Sequence, residues 1–173
     1  MIPERPGPSL ADAFSAWASG VTLVTIADGR DDIGVTVSAF GVLSLDPPLV
    51  SVSLMGDSYP AEVFSRPSLP ALAFGVTVLS SAQKVLAGRF SASGRPGARL
   101  LLEDVDSFRG PVSGALLPSG GLCALECSVA RRVPAGDHLL VIAAVESVSY
   151  VAEAGSPLLR FRGRYPALPV HGH

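Results

Sequence analysis

Three side chains at alternate positions, Thr36, Ser38 and Phe40, could together contact a ligand. Alternate residues of a β-strand share one face, so a strand here projects two hydroxyls and an aromatic ring in the same direction. The apolar residues between them then face a core. A strand with one apolar face and one hydroxyl-lined face can form a wall of a ligand site. The alternative is a half-buried strand whose hydroxyls only face water, and the pattern alone leaves both open.

Two further side chains are candidates for binding or catalysis. His138 is the one histidine outside the C-terminal tail, and it follows a Gly-Asp turn at the start of an apolar run. Its alternative is a turn histidine that points to water. Arg89 ends a predicted helix capped by Ser80 or Ser81, and a guanidinium can make paired hydrogen bonds to a phosphate. Its alternative is a solvated surface charge.

The two cysteines, Cys123 and Cys127, are expected to pack in the core. In a strand their Cα atoms lie about 13 Å apart at ~3.3 Å per residue, whereas a disulfide needs roughly 4.4 to 6.8 Å. Two cysteines without a histidine cluster are also too few for a structural zinc site. We therefore predict neither a disulfide nor a metal.

The composition indicates one folded domain. Of the 173 residues, 48% are hydrophobic and 16% are charged, which argues against disorder. The net charge of −2 gives no support for nucleic-acid binding. No apolar run approaches the roughly 18 to 20 residues of a membrane span, and the N-terminus lacks the pattern of a signal peptide. We expect a cytoplasmic protein that binds neither nucleic acid nor a membrane.

Many strands and only two or three short helices are predicted to position these side chains, which favours a mainly β, closed antiparallel barrel. Residues 1–8 are expected to form a flexible arm, 9–166 the domain and 167–173 a flexible tail. Phosphate-loop, G-x-G-x-x-G, H-E-x-x-H and G-x-S-x-G motifs are absent from the sequence. The predicted helices cover 10–18, 60–65 and 82–90, and the predicted strands cover 21–26, two stretches within 34–54 that meet at a corner over 45–48, 72–79, 122–131, 139–148 and 158–161.

A series of short segments, each weak alone, is specific in its order and spacing. The segments are GVTLVTI at 20–26, GVTVSAFGVLSLDPPLVSVSL at 34–54, VLSSAQKVLAGRFS at 78–91, GALLP at 114–118, CALECSV at 123–129, GDHLLVIAAVESV at 136–148 and RFRGRY at 160–165. Together they resemble the flavin reductase-like family, whose members are FMN-binding split barrels that reduce flavin with NADH or NADPH. The resemblance spans roughly residues 14–165.

The resemblance implies a set of site residues. The cofactor-binding residues are Thr36, Val37, Ser38, Ala39 and Phe40 at the ring edge, Ser53, Leu54, Met55, Gly56, Asp57 and Ser58 along the ring and ribityl chain, and Ser80, Arg89 and Phe90 towards the phosphate and the flank of the flavin. For Ser58, a helix cap is a compatible second role. The residues that border the nicotinamide are His138, Arg162, Arg164 and Tyr165, with His138 as the catalytic candidate.

The sequence departs from the family pattern at two single positions and one pair of residues. Ala39 and Thr77 replace a Ser and an Asn that many members carry, and Tyr59-Pro60 replaces a small polar pair. Each change removes or relocates a hydrogen-bonding group near the expected flavin. The sequence therefore leaves the choice between FMN and FAD open, and no residue chooses between NADH and NADPH.

By the same resemblance, the expected activity is NAD(P)H:flavin oxidoreduction. A hydride passes from nicotinamide C4 to flavin N5, and the protein contributes placement and electrostatics. His138 positions the nicotinamide or donates a hydrogen bond, and the reduced flavin supplies a separate monooxygenase. The alternatives are a non-catalytic FMN-binding carrier or redox sensor, and another enzyme on the same barrel that uses a pyridoxamine phosphate or a deazaflavin.

The apolar composition also predicts a homodimer, because large exposed apolar patches mark interfaces. The candidate surfaces are the strands at 122–127 and 139–145 and the helix that carries Phe14 and Trp17. In the family, two barrels pair about a two-fold axis and each contributes contacts near the flavin. A two-fold pair buries the same patch on both chains.

Overall fold

The computed structural model describes residues 7, 9–29, 31–66 and 72–168. In these residues the chain is mainly β, as predicted. The elements in order are α1 (Leu10–Ser15), β1 (Ser19–Gly20), β2 (Thr22–Ile26), β3 (Ile33–Val37), β4 (Phe40–Leu45), β5 (Pro48–Met55), α2 (Tyr59–Ser65), β6 (Ala73–Val78), a 3₁₀ turn (Ser81–Gln83), α3 (Lys84–Ser91), α4 (Ala98–Leu101), β7 (Ser107–Arg109), β8 (Leu116–Pro118), β9 (Cys123–Ala135), β10 (His138–Val151) and β11 (Leu159–Arg160).

Seven strands form one antiparallel sheet in the order β3-β2-β6-β9-β10-β5-β4. The outermost strands, β3 and β4, are joined by only Ser38 and Ala39. The amide of Ser53 donates to the carbonyl of Ala39 at 3.0 Å, which extends the pairing of β4 with β5 to the residue before β4. No ladder pairs β3 with β4 in the described part of the chain, so the sheet there is open.

The core forms where the strands alternate. On β5, Val50, Val52 and Leu54 are buried, while the residues between them are half-buried. They belong to a main apolar cluster in which the rings of Phe64 and Phe74 meet edge to face at a centroid distance of 5.1 Å. A second cluster packs α3 and α4 against the start of β2 and the end of β6. Such burial is the dominant favourable term in folding.

The cap predicted at Ser58 is confirmed. The helix predicted to begin at Ser80 or Ser81 begins later, because Ser80 precedes the 3₁₀ turn and Gln83 precedes α3. Ser9 and Asp12 form a capping box at α1, and the hydroxyl of Ser58 accepts from the amide of Ala61 at 3.3 Å to begin α2. Core packing was predicted for both cysteines and is confirmed for Cys127, whereas Cys123 is half-buried. Cys123 and Cys127 lie on β9 without a disulfide, and Cys127 is fully buried.

Several element predictions are wrong. The helix predicted over 10–18 ends at Ser15, because Ser19 and Gly20 pair with β11. The stretch 34–54 forms three strands because the chain bends at Ser38-Ala39. On α3, Val85 is exposed, and Ala87 is buried beside Leu86 and Phe90. The helix α4 and the hairpin β7–β8 were not predicted.

The predicted N-terminal arm and C-terminal tail fall mostly outside the described residues, and His171 and His173 lie there too. Among the residues with a described placement, no helix has the length and hydropathy needed to cross a membrane.

Candidate functional site

Two cavities lie at the two ends of β3. Cavity 1, of about 700 Å³, is lined by the start of β3 together with residues from 28–32, 55–60 and 91–97. Cavity 2, of about 490 Å³, is lined by Ser38, Ala39 and Phe40 just beyond the end of β3, by residues of 14–19, and by Arg160, Arg162 and Gly163. Both volumes fall within the ~300–1,000 Å³ typical of small-molecule sites.

A buried carboxylate fixes the floor of cavity 1. Asp32 is 2% exposed and accepts hydrogen bonds from Arg109 Nη2 at 2.6 Å, Arg99 Nε at 3.1 Å and the amide of Asp28 at 3.3 Å. Burial raises the pKa of Asp32, but the guanidinium groups of Arg109 and Arg99 outweigh burial and hold it below the ordinary 3.8. The carboxylate therefore stays ionised and joins α4 and β7 to the start of β3.

The helix α3 packs directly on the backbone of β3. A Cβ added at Gly34 would lie 2.2 Å from the ring of Phe90, which is fully buried. The hydroxyl of Thr36 donates to the carbonyl of Ala87 at 2.7 Å. The predicted common face of Thr36, Ser38 and Phe40 is therefore wrong: Thr36 bonds to α3, and the other two line cavity 2 because the strand ends at Val37.

Residues 53–58 are divided between the core and cavity 1. Met55, Asp57 and Ser58 line the cavity, whereas the side chain of Leu54 is buried in the main cluster. The amide of Gly56 donates to the carbonyl of Asp137 at 2.8 Å. The hydroxyl of Ser58 both caps α2 and donates to the carbonyl of Met55 at 2.6 Å, so the capping role is observed and the ligand role stays a prediction.

The residues predicted near the phosphate, Ser80, Arg89 and Phe90, line neither cavity. The hydroxyl of Ser80 donates to the carbonyl of Gly120 at 2.7 Å. Arg89 forms a two-pronged ion pair with Asp104, in which Nη2 lies 2.7 Å from Oδ2, and Nη1 also donates to the carbonyl of Leu101 at 3.2 Å. Their contact with a cofactor stays a prediction.

His138 begins β10 opposite Met55 in the antiparallel register; Met55 lines cavity 1, whereas His138 itself lines neither cavity. Its Nδ1 lies 2.7 Å from Oδ1 of Asp137, and the side chain is half-buried. The hydrogen bond from His138 lowers the pKa of Asp137 below its ordinary value. Asp137 therefore fixes the orientation of the imidazole ring.

Of the other residues predicted at the nicotinamide, Arg162 lines cavity 2. Its φ is +48°, its amide donates to the carbonyl of Ser15 at 2.8 Å, and its guanidinium lies 5.2 Å from the centre of the Phe161 ring. Arg164 pairs with Phe161 in a bridge, and Tyr165 packs against the second cluster. These two residues line neither cavity.

Several residues of cavity 1 were not predicted from the sequence. They are Asp28, Asp31 and Asp32 before β3, and the loop 91–97, which carries Arg95. No role in binding was predicted for this loop, although loops carry a large share of binding residues. Thr77, by contrast, is fully buried with an unpartnered hydroxyl and lines neither cavity. In the described part of the chain no cluster of three His, Cys, Asp or Glu side chains could hold a metal.

Comparison with known proteins identifies a matching family and relatives of similar sequence. The profile of the family described as "Flavin reductase like domain" matches residues 14–169. The chain is 35% identical over 156 residues to the NADH-dependent FMN reductase AsuE2 of Streptomyces nodosus subsp. asukaensis, which covers 90% of this chain and 82% of that protein. It is also 35% identical over 157 residues to the reductase component of 4-hydroxyphenylacetate 3-monooxygenase of Thermus thermophilus, covering 91% and 93%.

Solved structures agree in fold. The NADH:FAD oxidoreductase SgcE6 of Streptomyces globisporus, in complex with NAD and FAD fragments, superposes with a TM-score of 0.81 at 28% identity and covers 93% of this chain and 92% of that one. BorF, the flavin reductase component of a bacterial two-component tryptophan halogenase, gives 0.81 at 29% identity, covering 92% and 96%.

Proposed function

This chain belongs to the flavin reductase-like domain family, and we propose that it transfers a hydride from NADH to FMN or FAD and supplies the reduced flavin to a separate monooxygenase. It is an NAD(P)H:flavin oxidoreductase. The observation that carries the proposal is the family match over residues 14–169, which includes the described walls of both cavities. Relatives named for FMN and for FAD keep both flavins as candidates.

The two cavities fit an elongated ligand that follows β3. From Gly34 to Ser38 the strand spans about 13 Å at ~3.3 Å per residue. In our proposal the phosphate end of the flavin lies in cavity 1, and its ring extends towards Ser38, Ala39 and Phe40. A flavin bound there supplies the two-electron chemistry, because it accepts a hydride from nicotinamide.

The protein's own contribution in this proposal is orientation. Asp137 holds the His138 imidazole at a Nδ1–Oδ1 distance of 2.7 Å, so His138 presents its other nitrogen in a fixed direction for positioning the nicotinamide. Arg162 supplies a cation beside Ala39 and Phe40 in cavity 2. Bringing two reactants to contact distance supplies most of the rate without an acid or base.

We also propose that the chain forms a cytoplasmic homodimer and that the sheet of each subunit belongs to a split barrel. Support comes from exposed apolar side chains on α1, just after it and on β4, where Phe14 is 69%, Trp17 81% and Leu45 88% exposed, respectively. Of the three interfaces predicted from the sequence, the helical one has this support; β9 and β10 lie in the middle of the sheet, where both edges of each strand are paired. Light scattering should give about twice the 17.8 kDa chain mass; a monomer would contradict a stable dimer.

The activity is tested by mixing the purified protein with NADH or NADPH and with FMN, FAD or riboflavin, and following oxidation of the nucleotide. We expect steady turnover with at least one pair. No oxidation with any pair would contradict the proposal. FMN retained through purification without turnover would support the carrier alternative.

A further inference from the structure

The arginine predicted at the phosphate is already occupied. Both terminal nitrogens of Arg89 pair with the carboxylate of Asp104, and Nη1 also serves the carbonyl of Leu101. Paired hydrogen bonds to a carboxylate use the same donors that would grip a phosphate. Arg89 also lines neither cavity. Binding a phosphate through Arg89 would first require that ion pair to break.

A different arginine lies in cavity 1. Arg95 is half-buried and, among the described residues that line this cavity, is the one cation. Its Nε donates to the carbonyl of Gly34 at 2.8 Å, and its Nη1 donates to the carbonyl of Ala92 at 3.2 Å. These two bonds fix the plane of the guanidinium at the start of β3 and leave the Nη2 hydrogens without a described acceptor.

The environment of Arg95 lacks a compensating anion. Burial lowers the pKa of Arg95, and no carboxylate in the described part of the chain offsets that loss of hydration. By contrast, Arg66, Arg99 and Arg109 each pair with an aspartate. A partly desolvated cation without a partner is unfavourable, and a bound anion reverses the penalty.

Four carboxylates line the same cavity and bear on its charge. Asp32 is neutralised by Arg99 and Arg109, and Asp28 lies 3.7 Å from Arg66. Asp31 and Asp57 are exposed, so water screens them. Close to Arg95, the hydroxyl of Ser93 adds a donor with no described partner, while Ser91 already donates to the carbonyl of Gly88 at 3.0 Å.

We propose that Arg95, rather than Arg89, binds the phosphate of FMN or the diphosphate of FAD. This inference rests on the proposed function and assigns the residue that distinguishes phosphorylated flavins from riboflavin. Riboflavin has the same ring and ribityl chain without the phosphate. The ratio of its dissociation constant to that of FMN therefore isolates the phosphate contact from every other effect of a substitution.

The experiment measures the dissociation constants of FMN and riboflavin by fluorescence for the wild type, Arg95→Ala, Arg95→Gln and Arg89→Ala. Loss of a charged phosphate contact should weaken FMN binding by roughly 10- to 100-fold in both Arg95 variants, with riboflavin little changed. Arg89→Ala should keep the wild-type ratio. Arg95→Gln keeps a long polar side chain, so it remains measurable if the alanine variant folds poorly.

Each outcome decides the inference. An unchanged ratio in the Arg95 variants, or a ratio that falls in Arg89→Ala instead, overturns it. Equal weakening of both flavins in the Arg95 variants also overturns it, because the residue would then only hold the loop 91–97. The binding ratio needs no turnover, so a protein that binds both flavins but oxidises no nucleotide would contradict the proposed function and leave this test intact.

Discussion

The walls of the two cavities differ in how many buried contacts hold them in place. Cavity 1 rests on Asp32, which joins α4 and β7 to β3, and on Phe90, which packs against Gly34. One wall of cavity 2 comes from α1 and the residues after it, and none of the residues of α1 is buried. Its attachments include the hydrogen bond from the Arg162 amide to the carbonyl of Ser15 and the two-residue ladder between β1 and β11.

This contrast indicates which part of the site the chain forms by itself. An isolated helix of six residues is far below the ~12–15 needed for marginal stability in water, so α1 depends on contacts. Regions with few buried apolar contacts open at low free-energy cost. Cavity 1 is therefore expected to be preformed, whereas the outer wall of cavity 2 is stabilised mainly by whatever covers it.

The largest contrast should come from two phenylalanines. Phe90→Ala removes a fully buried ring and should lower the free energy of unfolding by roughly 3–5 kcal/mol. Phe14→Ala, at 69% exposure, should change it by less than about 0.5 kcal/mol. Urea unfolding of both variants measures the difference. Similar losses of unfolding free energy in the two variants would contradict the inference that buried contacts hold cavity 1 but not the outer wall of cavity 2.

Asp32→Asn should cost roughly 2–3 kcal/mol of unfolding free energy, because it leaves two arginines facing a neutral amide. Asparagine tolerates the φ of +47° at this position, so the backbone adds little strain. The matched control is Asp31→Asn, an exposed neighbour, for which we expect less than about 0.5 kcal/mol. A cost below 1 kcal/mol for Asp32→Asn would show that cavity 1 does not depend on this carboxylate.

The same carboxylate predicts acid sensitivity. The folded-state pKa of Asp32 lies below its ordinary 3.8, so its contribution is complete above that value. The contribution is lost as the pH falls through the lower, folded-state value. The stability difference between wild type and Asp32→Asn should therefore shrink on acidification from about pH 5 to about pH 2. A difference that grows over this range would contradict the sign.

The smallest effect on the isolated chain should come from Trp17→Ala. The indole is 81% exposed, so the free energy of unfolding of the dilute monomer should change by less than about 0.5 kcal/mol. If α1 and the residues just after it form the proposed subunit interface, the dimer dissociation constant should rise at least ~10-fold, because a buried Trp is a common hot spot. Analytical ultracentrifugation measures it; an unchanged constant would remove α1 from the interface.

Local chemistry made some features predictable. Ser58 was predicted as a helix cap, and its partner Ala61 lies only three residues away. The strand at 139–148 could likewise be predicted, because its pattern involves only residues that are neighbours in the sequence. Asp32 pairs with Arg99 and Arg109, 67 and 77 positions later, and no local pattern contains such pairs.

The phosphate contact shows the same limit. Arg89 was chosen by its place in a family segment, but its competitor, Asp104, stands 15 positions later and belongs to no quoted motif. Arg95 lay in a stretch with neither strand nor helix periodicity, so nothing indicated that it lines a cavity with Gly34. The fold class follows from many weak periodic patterns, whereas the site depends on a few distant pairs.

The strand order β10-β5-β4 has a consequence for biosynthesis. One edge of β5 pairs with β4 as soon as both are made, but its other edge pairs with β10, where His138 faces Met55 across 83 positions of sequence. At about 5–20 residues per second, the ribosome needs roughly 4–17 s to supply that partner. During this interval β5 exposes unpaired backbone and the apolar face of Val50, Val52 and Leu54. A chain that stops before β10 therefore leaves β5 with an unpaired, aggregation-prone edge. Its expected product is an aggregate rather than a smaller reductase.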